Sequence, residues 1–124
     1  MAGYILIIDD EASVRKILLA NLKLSGFNVI AAADGEEGLA MVKSGQTPQL
    51  VITDIIMPKK NGVEVITDLR RLYPAIKIIA MSGGGRIDEN NDLLEKARKA
   101  GADAVMSKPL DLDALEKKIE EFMV

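Results

Sequence analysis

Five times along this chain an apolar run of strand length gives way, after a short connection, to apolar residues at helical spacing. The first run, Tyr4 to Ile8, is unbroken, the pattern of a strand buried on both faces. Val14, Ile17, Leu18 and Leu22 then form a one-sided stripe, with Ser13 as the expected helix cap and Gly26 as the terminating glycine. Asn28 to Ala33 is a second, weaker strand. Asp34 and Glu37 follow at capping-box spacing ahead of Leu39 and Val42, and Ser44 to Pro48 ends that helix. Leu50 to Asp54 is the third strand; Met57-Pro58 takes the backbone out of regular pairing, and Asn61-Gly62 reads as a turn. Val65, Ile66, Leu69 and Leu72 mark a helix stopped before Pro74. Ile76 to Met81 is the fourth strand, followed by a polar stretch from Arg86 to Asp92 and a helix carrying Leu93, Leu94, Ala97 and Ala100 up to Gly101. Ala104 to Ser107 is the fifth, and Asp111 is placed to cap a last helix whose core face is Leu115, Ile119 and Phe122. Such a series predicts an α/β fold, one parallel sheet with helices on both faces.

Only 3% of the 124 residues are aromatic while 48% are apolar, so the core must be built from Ile, Leu, Val, Ala and Met. No linker, repeat or low-complexity tract interrupts the chain, and a single domain over residues 1–124 is expected. Two absences narrow the chemistry. Without Cys there are no disulfides, thiol nucleophiles or thiolate metal sites, and without His there is no Ser-His-Asp catalysis and no imidazole ligand. What remains is carboxylates, hydroxyls, Lys and Arg, and a metal held by these would be a hard cation such as Mg²⁺. The net charge of −3 argues against a nucleic-acid surface. No apolar run approaches the ~20 residues of a membrane span. The opening Met-Ala-Gly-Tyr lacks a signal-peptide pattern, so a cytoplasmic location is expected.

In parallel βα units every strand ends on the same edge of the sheet, and ligands of open α/β sheets bind at that edge. Asp9 and Asp10, followed by Glu11, end the first strand; Asp54 ends the third, Ser82 the fourth, and Lys108 follows the fifth. If these strands are neighbours, the side chains converge, and a divalent cation would relieve the repulsion among the acids. Each residue also has a plainer reading. Asp54 can be a solvated strand terminator, Lys108 a surface lysine, and Ser82 before Gly83 to Gly85 a turn. A nucleotide-type phosphate loop there would lack its Gly-Lys-Ser/Thr ending. Arg15 and Lys16 read as a solvated helix face, and Glu89 to Asp92 as a solvated helix start.

Asp9-Asp10, Asp54-Ile-Ile-Met-Pro58, Gly62, Ser82-Gly83 and Lys108-Pro109 together resemble the motif set of two-component response-regulator receiver domains, including stand-alone receivers of the chemotaxis type. The match runs in order through nearly the whole chain. The resemblance implies a flavodoxin-like five-stranded parallel sheet of order 2-1-3-4-5. It implies that Asp54 is a nucleophile taking a phosphoryl group from a phosphohistidine donor, and that Mg²⁺ binds through Asp10, Asp54 and the Ile56 carbonyl, with Asp9 acting through water. Lys108 would contact a phosphoryl oxygen, and Ser82 would donate a hydroxyl hydrogen bond, assisted by the N–H groups of Gly83 and Ile55. A cis Lys108–Pro109 bond would aim the lysine inward. Since this chain has no His, the donor must be a sensor histidine kinase, a histidine phosphotransfer protein or a small phosphoryl compound. The first helix is where receivers meet their kinase, and the fourth helix, fifth strand and fifth helix form the family's output face. A stand-alone receiver would signal through a downstream protein, with no direct nucleic-acid contact and no membrane insertion. It would be an enzyme only in catalysing its own phosphoryl acceptance and slow dephosphorylation.

Two positions depart from the family pattern. Three residues before the lysine, switching receivers commonly carry an aromatic; here Val105 stands there, which favours a phosphorelay carrier. Ile56, two residues past Asp54, is apolar where many relatives are polar. Other classes fit less well. A phosphohydrolase with an Asp nucleophile of the dehalogenase type wants Asp-x-Asp after the first strand, where this chain has Asp9-Asp10-Glu11. A flavin carrier wants aromatics near its phosphate loop, and Tyr4, Phe27, Tyr73 and Phe122 are badly placed. A receiver-like interaction module that is never phosphorylated is a further alternative.

Overall fold

The computed structural model describes residues 3–45, 47–57, 60–82, 95–108 and 110–123. The chain runs β1 (Ile5–Ile8), α1 (Ala12–Leu24), β2 (Val29–Ala32), α2 (Gly35–Ser44), β3 (Leu50–Asp54), α3 (Gly62–Leu72) and β4 (Lys77–Ser82), then α4 (helical residues 95–100), β5 (Ala104–Ser107) and α5 (Leu112–Met123). All strands pair in parallel in the order β2-β1-β3-β4-β5. This is the flavodoxin-like order that the receiver resemblance implies.

Strand alternation sorts the apolar residues into two layers. Ile5, Ile7, Leu50, Ile52, Ile79 and Met81 point to one face, where Leu18 and Leu22 of α1 and Leu115 and Ile119 of α5 cover them. Leu6, Ile8, Val51, Ile78 and Ala80 point to the other, against Leu39 and Val42 of α2, Val65, Ile66 and Leu69 of α3, and Ala97 of α4. Every residue of β1 and β3 is buried, which is why those runs carry no polar alternation. Edge strand β5 is only half-buried through Met106.

Several local readings shift. The first helix begins at Ala12 with Glu11 at the cap position and no side-chain cap, so Ser13 does not cap it. Its stripe is narrower than the periodicity suggests, since Ile17 is 56% exposed, and Leu72 of α3 is 39% exposed. Asn61-Gly62 is a helix start rather than a turn. The Asn61 carboxamide accepts from the Glu64 N–H, and the Glu64 carboxylate accepts from the Asn61 N–H. At α2 Asp34 accepts from the Glu37 N–H, but Glu37 reaches back to the N–H of Ala33, one residue earlier than in a capping box. Asp111 caps α5 as anticipated, accepting from the N–H groups of Asp113 and Ala114. Gly26 and Gly101 have positive φ (94° and 122°), where an L side chain would be strained. The readings for Pro58, for residues 83–94 (including Gly83) and for the Lys108–Pro109 bond lie outside the described residues.

Candidate functional site

The register of the sheet determines what meets at its carboxyl edge. Ile8 pairs with Thr53, Asp54 with Met81, and Ser82 with Ser107, so Asp9, Asp54, Ser82 and Lys108 leave the strands at one level. The Lys108 N–H donates to the Ser82 carbonyl at 2.8 Å, extending the β4–β5 pairing by one residue and holding Lys108 over the edge. Its Nζ then lies 2.8 Å from Asp9 Oδ2, 3.1 Å from Asp54 Oδ2 and 3.5 Å from Glu11 Oε1. One ammonium faces three carboxylates.

Burial makes this a charged pocket rather than a solvated rim. Asp9 and Ser82 are fully buried and Asp54 is 4% exposed, so the plainer reading of Asp54 as a solvated strand terminator does not hold. Burial pushes the Asp54 carboxyl above the usual carboxylate range; Lys108 opposes this and the Asp9 charge adds to it, with a net upward shift. Burial works against the Lys108 charge, but its hydrogen bond to Asp9 and the Asp54 charge outweigh that, holding the ammonium above the ordinary lysine value.

The backbone around Asp54 is held tightly. The Thr53 hydroxyl donates to the Asp54 carbonyl at 3.0 Å, and the Ile55 N–H donates to Met81 at 2.9 Å, continuing the β3–β4 ladder. The Ile55 N–H is therefore turned to the sheet here, and the N–H that reaches the Asp54 carboxylate, at 3.4 Å, is that of Ile56. The Ile56 side chain is 57% exposed. Val105 is half-buried and packs against the core on the α2–α3–α4 side.

The acids that gather differ in one member from those expected. Among the described residues, Asp9, Glu11 and Asp54 each offer an oxygen within 4.8 Å of the others. Asp10 is exposed and outside that group. An all-carboxylate donor set suits a hard cation, and the Lys108 ammonium already sits where positive charge is wanted, so the residues fit a metal of the Mg²⁺ kind. Two participants were missed by the linear reading. Glu11 stands next to the predicted pair. Arg15 lies one helical turn beyond Glu11, and its Nη1 donates to the Asp9 carbonyl at 2.7 Å. The spacing of Arg15 from the acid run was the available signal. Beside the acids, an open groove is lined by Val14, Ile17 and Leu18 of α1, together with Lys108, Leu110 and Leu112. Among the described residues no helix is long and apolar enough to cross a membrane.

Solved structures share this fold. A response regulator receiver domain protein of CheY-like type from Methanospirillum hungatei JF-1 superposes with TM-score 0.84 at 32% identity, covering 98% of this chain and 94% of that one. A receiver domain protein from Clostridium thermocellum does so with TM-score 0.86 at 28% identity, covering 98% and 94%. The family described as "Response regulator receiver domain" matches residues 5–120, and the chain belongs to that family. Curated relatives include the probable transcriptional regulator ycf27 of Porphyridium aerugineum, 39% identical over 96% of this chain and 47% of that protein. The alkaline phosphatase synthesis transcriptional regulatory protein PhoP of Bacillus subtilis is 33% identical over 96% and 48%. The chain spans about half the length of these two relatives.

Proposed function

We propose that this receiver accepts a phosphoryl group on Asp54 from the phosphohistidine of a sensor histidine kinase or histidine phosphotransfer protein, in a Mg²⁺-dependent reaction. The observation that carries this is the buried Asp54 carboxylate held 3.1 Å from Lys108, with Asp9 and Glu11 alongside. An Asp54 oxygen attacks phosphorus; the new P–O bond forms as the P–N bond breaks, and the electron pair leaves on the imidazole nitrogen. Lys108 shifts from carboxylate to phosphoryl oxygen as negative charge moves onto the transferring group. Ser82 and the N–H of Ile56 line the same edge as hydrogen-bond donors, with Gly83 and Ile55 the further donors that the family resemblance suggests. Asp54, Asp10 and the Ile56 carbonyl, with Asp9 through water, would hold Mg²⁺, and Glu11 stands close enough to join them. Bound there, the ion supplies positive charge against the acids and the phosphoryl oxygens.

The groove between α1 and the segment after Lys108 supports docking of the donor next to Asp54, since Ile17 offers it an exposed apolar contact. For the receiver domain itself, a net charge of −3 disfavours direct contact with nucleic acid, and we assign the domain's output to a downstream protein or to onward transfer in a phosphorelay. The small Val105 favours the relay, and the cytoplasmic location expected from the sequence belongs to the same reading. The test is intact mass after incubation with acetyl phosphate or phosphoramidate, with Mg²⁺ or chelator, on the parent and Asp54→Asn. One phosphoryl adduct that requires Mg²⁺ and is absent in the variant is the expected result. No adduct under any condition would leave only an interaction module of receiver shape.

A further inference from the structure

Asp9 is fully buried in the pocket; its N–H donates to the Ala32 carbonyl of β2 at 3.2 Å, and three further contacts hold it. Its Oδ1 accepts from the Glu11 N–H at 2.9 Å, its Oδ2 from Lys108 at 2.8 Å, and its carbonyl from Arg15 Nη1 at 2.7 Å. The first two lie inside the pocket, where a bound cation or phosphoryl group would redistribute them. The third comes from α1. At this joint the usual device is missing, since Glu11 makes no side-chain cap to the helix. Arg15 ties the first turn of α1 to the point where the chain leaves β1, and across that joint lie Asp9, Asp10 and Glu11.

A guanidinium is an odd neighbour for a cation site, because its charge alone weakens cation binding. Its presence is explained by geometry. We propose that Arg15 is a positioning residue for the acid site: by fixing the Asp9 carbonyl it sets the direction in which Asp9, Asp10 and Glu11 present their carboxylates. This rests on the reading above that the site takes Mg²⁺. The two possible roles of Arg15 have opposite signs. If it acts only as a charge, removing it tightens Mg²⁺ binding. If it holds the loop, removing it weakens binding, as loss of an outer partner of a metal ligand does by roughly 10–100-fold.

The deciding measurement is Mg²⁺ affinity by calorimetric titration of the parent, Arg15→Met and Arg15→Lys, with melting in chelator alongside. Methionine keeps an apolar stem against the helix and removes the donor. Lysine keeps the charge and one donor for the same carbonyl. The expected result is about tenfold weaker binding or worse in Arg15→Met, with most of the loss recovered in Arg15→Lys. Both variants should melt in chelator within a few degrees of the parent. Unchanged or tighter binding in Arg15→Met overturns the proposal, as does an equal loss in the two variants. A parent that binds no Mg²⁺ sinks the cation reading itself, and is thereby distinguishable from failure of Arg15 alone.

Discussion

Asp54 is a carboxylate that the fold holds against its own stability. Its folded pKa lies above its unfolded one, mainly because burial disfavours the charge. The group therefore favours folding only while protonated, below the ordinary carboxylate range, and that contribution is lost as pH rises through the folded pKa. Above the ordinary carboxylate range it costs stability. Asp54→Asn removes that cost and leaves Lys108 paired with Asp9 and Glu11. In chelator at neutral pH the variant is expected to melt above the parent, with the difference shrinking toward acid pH. Melting curves at neutral pH and near pH ~4 check both the sign and the trend. A variant that melts below the parent at neutral pH would show that the Lys108 bond outweighs desolvation.

At the scale of elements, the joint between β3 and α3 carries the site. The Gly62 N–H donates to the Ile55 carbonyl at 2.8 Å, and a Cβ at Gly62 would run into the Asp54 carbonyl oxygen and come within 2.6 Å of Ile55 Cα. Glycine is required there for close approach of helix to strand end. The Asn61–Glu64 box then fixes where α3 begins, so the helix start and the Asp54 peptide are placed as a unit. Gly62→Ala is expected to lose about 1–3 kcal/mol, the range for forcing a methyl into a packed contact. It should also slow adduct formation at Asp54 in conditions where the variant is still folded. Urea denaturation gives the first quantity and timed intact mass the second. Loss of stability with an unchanged rate would uncouple the joint from the chemistry.

Across the whole molecule, the opposite edge of the sheet is held by one arginine. Arg70 Nε and Nη2 donate to the Gly101 carbonyl, Nη1 donates to the carbonyls of Pro74 and Ile76, and Nη2 also meets Asp103 Oδ2 at 2.7 Å. Asp103 in turn accepts from the Ile78 N–H at 2.8 Å. The end of α3, the start of β4 and the approach to β5 are thus gathered on one planar group. Arg70→Ala is expected to destabilise by about 2–3 kcal/mol, and Arg70→Lys should recover little because an ammonium lacks the fork. At roughly 4 °C per kcal/mol for a chain of this length, calorimetry resolves both. Phosphoryl acceptance at Asp54 should be unchanged, since the cluster lies at the amino ends of the strands.

The alternation of apolar runs and stripes determined the fold class, and the strand-ending residues Asp9, Asp54, Ser82 and Lys108 were legible as candidates. Those signals are local, because periodicity and strand termination need only neighbouring residues. Tertiary structure decided the rest. That Glu11 rather than Asp10 lies beside Asp9 and Asp54 depends on how the loop after β1 is turned, and the Arg15 contact depends on where α1 docks. The Ile55 N–H is taken by Met81, a residue on the adjacent strand. Arg70 and Asp103 are 33 residues apart, and no spacing rule joins them. Ile17 and Leu72 fit the helical period yet are left partly exposed, because a stripe is buried only as far as its partners extend. Sequence period specifies which face of an element is apolar; only packing specifies what that face meets and where the side chains beyond the strand ends point.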